Sequence, residues 1–392
     1  MCDVVSRVAG DPSVPEASRR AFLKVLGVTA AAGGVVAAGM GTARAEGAPS
    51  SGRGVSGRTR LVLLGTAGGP TLTQSQRSGV STAVAYGDRV YVVDLGLGAM
   101  LRLRQSSLTP QDSTASTFTR VRGIFFTHLH SDHVTDWPAV YATGAMNATG
   151  RPAGTPIEVW GPGDRGSLPP FRGRPGTEPA VYNPAQPTPG TAAMTAYLTQ
   201  AWAADFNDRA RDSGFPGPQS LFAVHDVPAP VPTPPSGVPP RISPFPVWQD
   251  GEVTVTATLV DHRPTAPAFG FRFDTPDGSI VVSGDTGVSE NLVELAQGAD
   301  YLVHEVIDPD WIDRLVATLP ATIGEPLRAH LLESHTAIDR VGRDVAEPAG
   351  VRNLVLTHLV PAENPEGRWR QAARGYSGRL VVGRDLLELA VG

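Results

Sequence analysis

The chain has 392 residues, enough for one large domain or two ordinary ones, and its 41% hydrophobic content is that of a globular protein. Its 33 basic residues against 38 acidic ones include a single lysine, Lys24, and no basic tail or block, so a long nucleic-acid partner is not expected. Cys2 is the sole cysteine, which excludes thiolate metal sites, a cysteine nucleophile and disulfides from the body of the chain.

In chain order, Ser18-Arg19-Arg20-Ala21-Phe22-Leu23-Lys24 precedes a weakly apolar Ala/Gly/Val stretch and then Ala43-Arg44-Ala45. This reads as a twin-arginine export signal over residues 1–45. It implies the twin-arginine translocase as a partner, no retained membrane anchor, and a periplasmic or extracellular destination. Residues 46–58 are rich in Gly and Ser and read as a flexible leader.

The fold is expected over residues 59–392. Arg60 to Gly65 is a short apolar run closed by Gly, hence a buried strand, and Ser81 to Tyr86 with Arg89 to Asp94 forms a hairpin about Gly87-Asp88. Leu95 to Arg104 has helical character, and the strand Val121 to Phe126 leads directly into His128. After a strand at Ile157 to Gly161, Pro and Gly punctuate an insert over about 163–249, broken by one helical stretch from Ala192 to Arg211. Its aromatic residues Trp202, Phe206, Phe215 and Phe222 favour a packed cover over a linker. Strands follow at Glu252 to Leu259, Gly270 to Phe273, Ser279 to Ser283 and Tyr301 to His304, then a helix near Ile338 to Ala346 and a strand at Asn353 to Thr357.

The chemistry concentrates at Thr127-His128-Leu129-His130-Ser131-Asp132-His133, which places three of the nine histidines and an aspartate in six residues. His128 and His130 are two apart on extended backbone and can face one way, with Asp132 and His133 turning to an adjacent position. One loop can thus feed two cations about 3.5 Å apart. Imidazole and carboxylate without thiolate suit zinc best, with iron or manganese as alternatives.

Together with Leu63 to Pro70, Val93-Asp94-Leu95-Gly96, Ile157 to Pro162, Asp261-His262, Ser283-Gly284-Asp285-Thr286, His304-Glu305, Ser334-His335 and Leu356-Thr357-His358, this loop resembles the metallo-β-lactamase superfamily. Within it the chain looks most like the ribonuclease Z and arylsulfatase branch. The resemblance implies an α/β fold, the αββα sandwich of two mixed β-sheets flanked by helices. It also implies that His128, His130 and His262 hold one zinc, that Asp132, His133 and His358 hold a second, and that Asp285 bridges them. His225 is the alternative to His262. The nucleophile would be metal-bound hydroxide oriented by Asp132, with His335 as proton donor and Glu305 fixing its tautomer. A proton donor suits esters of phosphorus or sulfur, so the leading expectation is an exported phosphodiesterase or arylsulfatase acting on a small or medium anionic ester. The rivals are a transfer-RNA 3′-endonuclease, disfavoured because no basic arm is visible, a lactone or β-lactam hydrolase, and a non-catalytic binding protein.

Overall fold

The computed structural model describes residues 15–18, 58–70, 76–111, 115–171 and 176–392. The export-signal and leader readings lie outside these residues apart from 15–18 and Arg58. No helix among the described residues is long and apolar enough to cross a membrane.

Two seven-stranded mixed sheets lie face to face. The first contains β1 (Thr59–Gly65), β2 (Ser81–Tyr86), β3 (Arg89–Val93), β4 (Val121–Phe125), β5 (Ile157–Gly161) and β6 (Phe222–Asp226). The second contains β7 (Phe245–Asp250), β8 (Val253–Leu259), β9 (Phe269–Thr275), β10 (Gly278–Val282), β11 (Tyr301–Ile307), β12 (Asn353–Val360) and β13 (Arg379–Val382). The last strand, β14 (Leu387–Val391), returns to pair with β1, so the first sheet runs β14-β1-β2-β3-β4-β5-β6 and the second β13-β12-β11-β10-β9-β8-β7. Each sheet is antiparallel in one half and parallel in the other: β3 to β6 are parallel in the first sheet and β10 to β13 in the second.

The apolar runs read as strands because both faces of each sheet are covered. In β1, Leu61 and Leu63 enter the core between the sheets while Val62 and Leu64 enter the core under the first sheet's outer helices. In β10, Ile280 and Val282 face inward and Val281 faces the helices on the other side. A period of two with both faces buried gives a continuous hydrophobic run. The inner core is strongly aromatic, with Phe125 packed edge-on against Phe273 at 5.3 Å between centroids. Aromatic contacts of this kind add to the burial that holds the two sheets in register.

Parallel strands share a direction, so their carboxyl ends collect on one edge of the sandwich. The loop after β4, the loops after β8 and β10, and the ends of β11 and β12 all reach this edge. Several elements differ from the sequence reading. The helical stretch expected from Ala192 to Arg211 is two helices, Thr191–Ala201 and Ala203–Ser213, meeting at Trp202. The first packs on the sheet's outer face, where Thr195 accepts a hydrogen bond from Trp137 Nε1 at 3.1 Å. The Pro-rich stretch also supplies β6 and the first residues of β7. The helix expected near Ile338 to Ala346 is a π-helical turn over Val341–Ala346, and helices Pro309–Val316 and Ala321–Ser334 form a hairpin before His335.

Candidate metal centre

At the end of β4 the chain leaves the sheet with Phe125 and Phe126 fully buried, which fixes where Thr127 and His128 emerge. Asp94, one residue past β3, accepts hydrogen bonds from Thr127 N and Thr127 Oγ1, each at 2.8 Å, and from His133 Nδ1 at 2.8 Å. One buried carboxylate therefore holds both ends of the His128 to His133 loop.

The rings of His262, His130 and His128 are oriented in the same way, by giving their outer N–H to the protein. His262 Nδ1 donates to Ser334 O at 2.8 Å, and His130 Nε2 donates to Thr265 Oγ1 at 2.8 Å. Thr127 Oγ1, already donating to Asp94, accepts from His128 Nδ1 at 3.1 Å. These partners assign the tautomers, and each leaves a lone pair on the inner nitrogen.

The inner atoms converge. His130 Nδ1 lies 3.0 Å from His128 Nε2 and 3.2 Å from His262 Nε2. Asp285 Oδ2, reached from the end of β10, lies 3.3 Å from both His133 Nε2 and His358 Nε2 and 3.8 Å from both His128 Nε2 and His262 Nε2. Asp132 Oδ2 is 3.3 Å from His358 Nε2. Two sets of ligand atoms each gather within 4.8 Å: His128, His130, His262 and Asp285, and Asp132, His133, His358 and Asp285. Among the described residues, the buried His133 Nε2 and Asp285 Oδ1 have no hydrogen-bond partner. Lone pairs forced together in a buried site repel unless a cation lies among them, so the donor set fits two metal ions.

Burial, reinforced by neighbouring histidines, holds His128 well below the usual imidazole range. Burial likewise takes His130 and His262 down to about 3. That group is a neutral nitrogen-donor set. For His133 and His358 burial acts in the same sense, but Asp285, joined by Asp94 and Asp132 at His133 and by Asp132 at His358, overcomes it and raises both. Burial would raise Asp285, yet His358 and His133 hold it well below the carboxylate range. The second group is thus the acidic one, in which protons and cations compete for the same nitrogens.

A third group, Glu305, His335 and His358, adjoins the second. Glu305 Oε1 accepts from Thr336 N at 2.8 Å and faces His335 Nδ1 at 3.4 Å. Burial, then Asp285, pushes Glu305 up to about 8, while burial takes His335 down to about 4. Every residue singled out for the metals and for proton transfer therefore meets at this edge. The structure brings His262, not His225, to the centre. His225 lies on β6, bonded to Glu158 at 2.7 Å and stacked on Trp160 at 4.3 Å.

Sequence reasoning gave no role to Asp94, Thr265 or Ser334. A carboxylate ending the apolar run Tyr91 to Val93 was a usable signal for Asp94. Thr265 and the Ser334 carbonyl carry no such mark.

No family model matches the chain. Among curated proteins it is 32% identical over 334 residues to ribonuclease Z of Mycolicibacterium paratuberculosis, covering 84% of this chain and 98% of that one. It is 30% identical over 335 residues to ribonuclease Z of Mycobacterium tuberculosis, covering 84% and 97%. The chain belongs to the ribonuclease Z family.

Solved structures show the same fold. Human tRNase Z, short form, superposes with a TM-score of 0.53 at 17% identity, covering 85% of this chain and 99% of that one. The metallo-β-lactamase fold protein YhfI from Bacillus subtilis gives 0.52 at 15% identity, covering 84% and 98%. The chain is accordingly a metal-dependent hydrolase of ester bonds with the expected αββα architecture. The leading expectation of an exported phosphodiesterase or arylsulfatase is corrected, because relatives matched over nearly their whole length are ribonucleases Z. The transfer-RNA 3′-endonuclease, disfavoured in the sequence for its export signal and the want of a visible basic arm, is the alternative that these relatives favour. Charge summed over a whole chain does not describe a site whose largest local charges are bound cations.

Proposed function

We propose that the chain is a transfer-RNA 3′-processing endonuclease. The observation that carries the reading is the convergence of two ligand groups and the Glu305–His335 pair on one edge, in a chain 32% identical to a ribonuclease Z over nearly that enzyme's full length. His128, His130 and His262 would hold one divalent cation and Asp132, His133 and His358 a second, with Asp285 shared. Zinc suits these donors, and iron or manganese are alternatives. When bound, the two cations supply Lewis acidity to a water and to the scissile phosphate.

The side chains do the rest. Asp132 and Asp285 accept hydrogen bonds from the attacking water and aim it at phosphorus. His335 delivers the proton that the leaving 3′-oxygen needs, and Glu305, itself held by Thr336 N–H, orients the ring and restores its proton.

Incubation of the purified chain with a transfer-RNA precursor carrying a 3′ trailer is expected to release the trailer. His335→Ala should slow release by about two to four orders of magnitude with cation content unchanged. An intact precursor, under conditions in which bis(p-nitrophenyl) phosphate is hydrolysed, contradicts the RNA reading. Cation loss in His335→Ala contradicts the proton-donor role.

A further inference from the structure

Four residues past the end of β5, on the edge that carries the metal ligands, Arg165 reaches from the Pro-rich segment to the loop between His262 and Phe269. Its Nη1 donates to Pro264 O at 2.8 Å and its Nη2 to Pro235 O at 3.3 Å. Pro264 precedes Thr265, whose hydroxyl accepts from the metal-facing ring of His130. The guanidinium therefore sits two contacts from a ligand of the centre.

Among the described residues no carboxylate lies within ion-pair distance of Arg165, and burial alone perturbs it, lowering its pKa. The adjacent Asp164 is engaged elsewhere, by Thr188, Gln186 and the Gly166 amide. Two carbonyl oxygens take two of the five N–H groups, and the buried Nε has no partner. A half-buried cation without a counter-ion is costly to hold. Arg122 and Arg368 are paired with aspartates, and Arg151, which like Arg165 is held by main-chain carbonyls, spends Nε, Nη1 and Nη2 on five of them, whereas Arg165 meets only two among the described residues.

The geometry points to Arg165 as the binding residue for a second phosphate of the substrate, the one neighbouring the scissile phosphodiester on the nucleic-acid strand. The planar fork, fixed by two carbonyls, keeps N–H groups free for phosphate oxygens, the pairing arginine makes best. The assignment rests on the phosphodiester reading of the same centre, and it makes Arg165 a specificity residue for substrates that carry a flanking phosphate.

The test compares two chromogenic esters, thymidine 5′-(p-nitrophenyl phosphate) and the same compound bearing a 3′-phosphate. The wild type should favour the second in kcat/KM by roughly tenfold to a hundredfold, the span of one charge-assisted contact. Arg165→Ala should bring that ratio close to one, and Arg165→Lys should restore part of it. A merely structural role would lower both esters equally and reduce bound cation, leaving the ratio intact. That result, or a wild type with no preference, overturns the assignment. Cleavage of a transfer-RNA precursor is scored separately: its absence with the preference intact removes the transfer-RNA reading and leaves Arg165 assigned.

Discussion

Asp94 controls the centre without facing it. With φ at 59° it stands in the left-handed region just past β3, and all three hydrogen bonds of its carboxylate go to Thr127 and His133. Asp94→Ala frees the His133 ring and removes a buried acceptor from the Thr127 amide. Cation affinity should fall by about 10- to 100-fold, the usual effect of deleting a carboxylate behind a ligating histidine, while the fold survives. Competition with a chromogenic chelator measures this, and unchanged affinity would deny Asp94 its positioning role. The seven converging histidines and aspartates were legible because these residue types at the ends of apolar runs carry chemical identity in one letter. Thr265 and the Ser334 carbonyl were not, since a hydroxyl in a Pro-rich loop and a main-chain oxygen acquire their roles only when the chain returns to the site.

At the level of elements, the turn after β1 is fitted to His358. A Cβ placed on Gly68 would fall 2.4 Å from His358 Nδ1 and 2.6 Å from Cε1, while the next residue, Gly69, donates its N–H to Asp132 Oδ2 at 3.0 Å. Gly68→Ala must move either the turn or the ring. It should therefore weaken the Asp132, His133 and His358 group while sparing the His128, His130 and His262 group, so that about one of two equivalents of cation is lost by metal analysis. Retention of both would show that the turn yields freely. Most strands were readable because two covered faces make them continuously apolar. β6, β7, β13 and β14 were not, for these are the four edge strands of the two sheets, and each has at most one fully buried residue. The helical hairpin before His335 escaped notice because Pro309, Pro320 and Pro326 punctuate it. Proline suits the first turn of a helix, and only Pro326 lies inside one.

Across the whole molecule, the two sheets meet in one shared core, and the ligands come from both: His128 to His133 from the first, and His262, Asp285 and His358 from the second. A cation pair bound there ties the halves together in the native state alone, so it must stabilise folding. At a thousandfold excess over Kd the gain is about 4 kcal/mol for each site. Stripping with a chelator should lower Tm by several degrees and added zinc should restore it; an unchanged Tm would mean that the groups are not filled in the folded protein. A net charge of −5 is a sum over the entire chain and does not describe the charge along this one edge.

The most direct measurement is a titration of cation-free protein with zinc, following trailer release from a transfer-RNA precursor. Release should be negligible without zinc and should rise to its maximum at two equivalents per chain. Full cleavage by the cation-free protein, or no cleavage once two equivalents are bound, would contradict a two-cation ribonuclease centre.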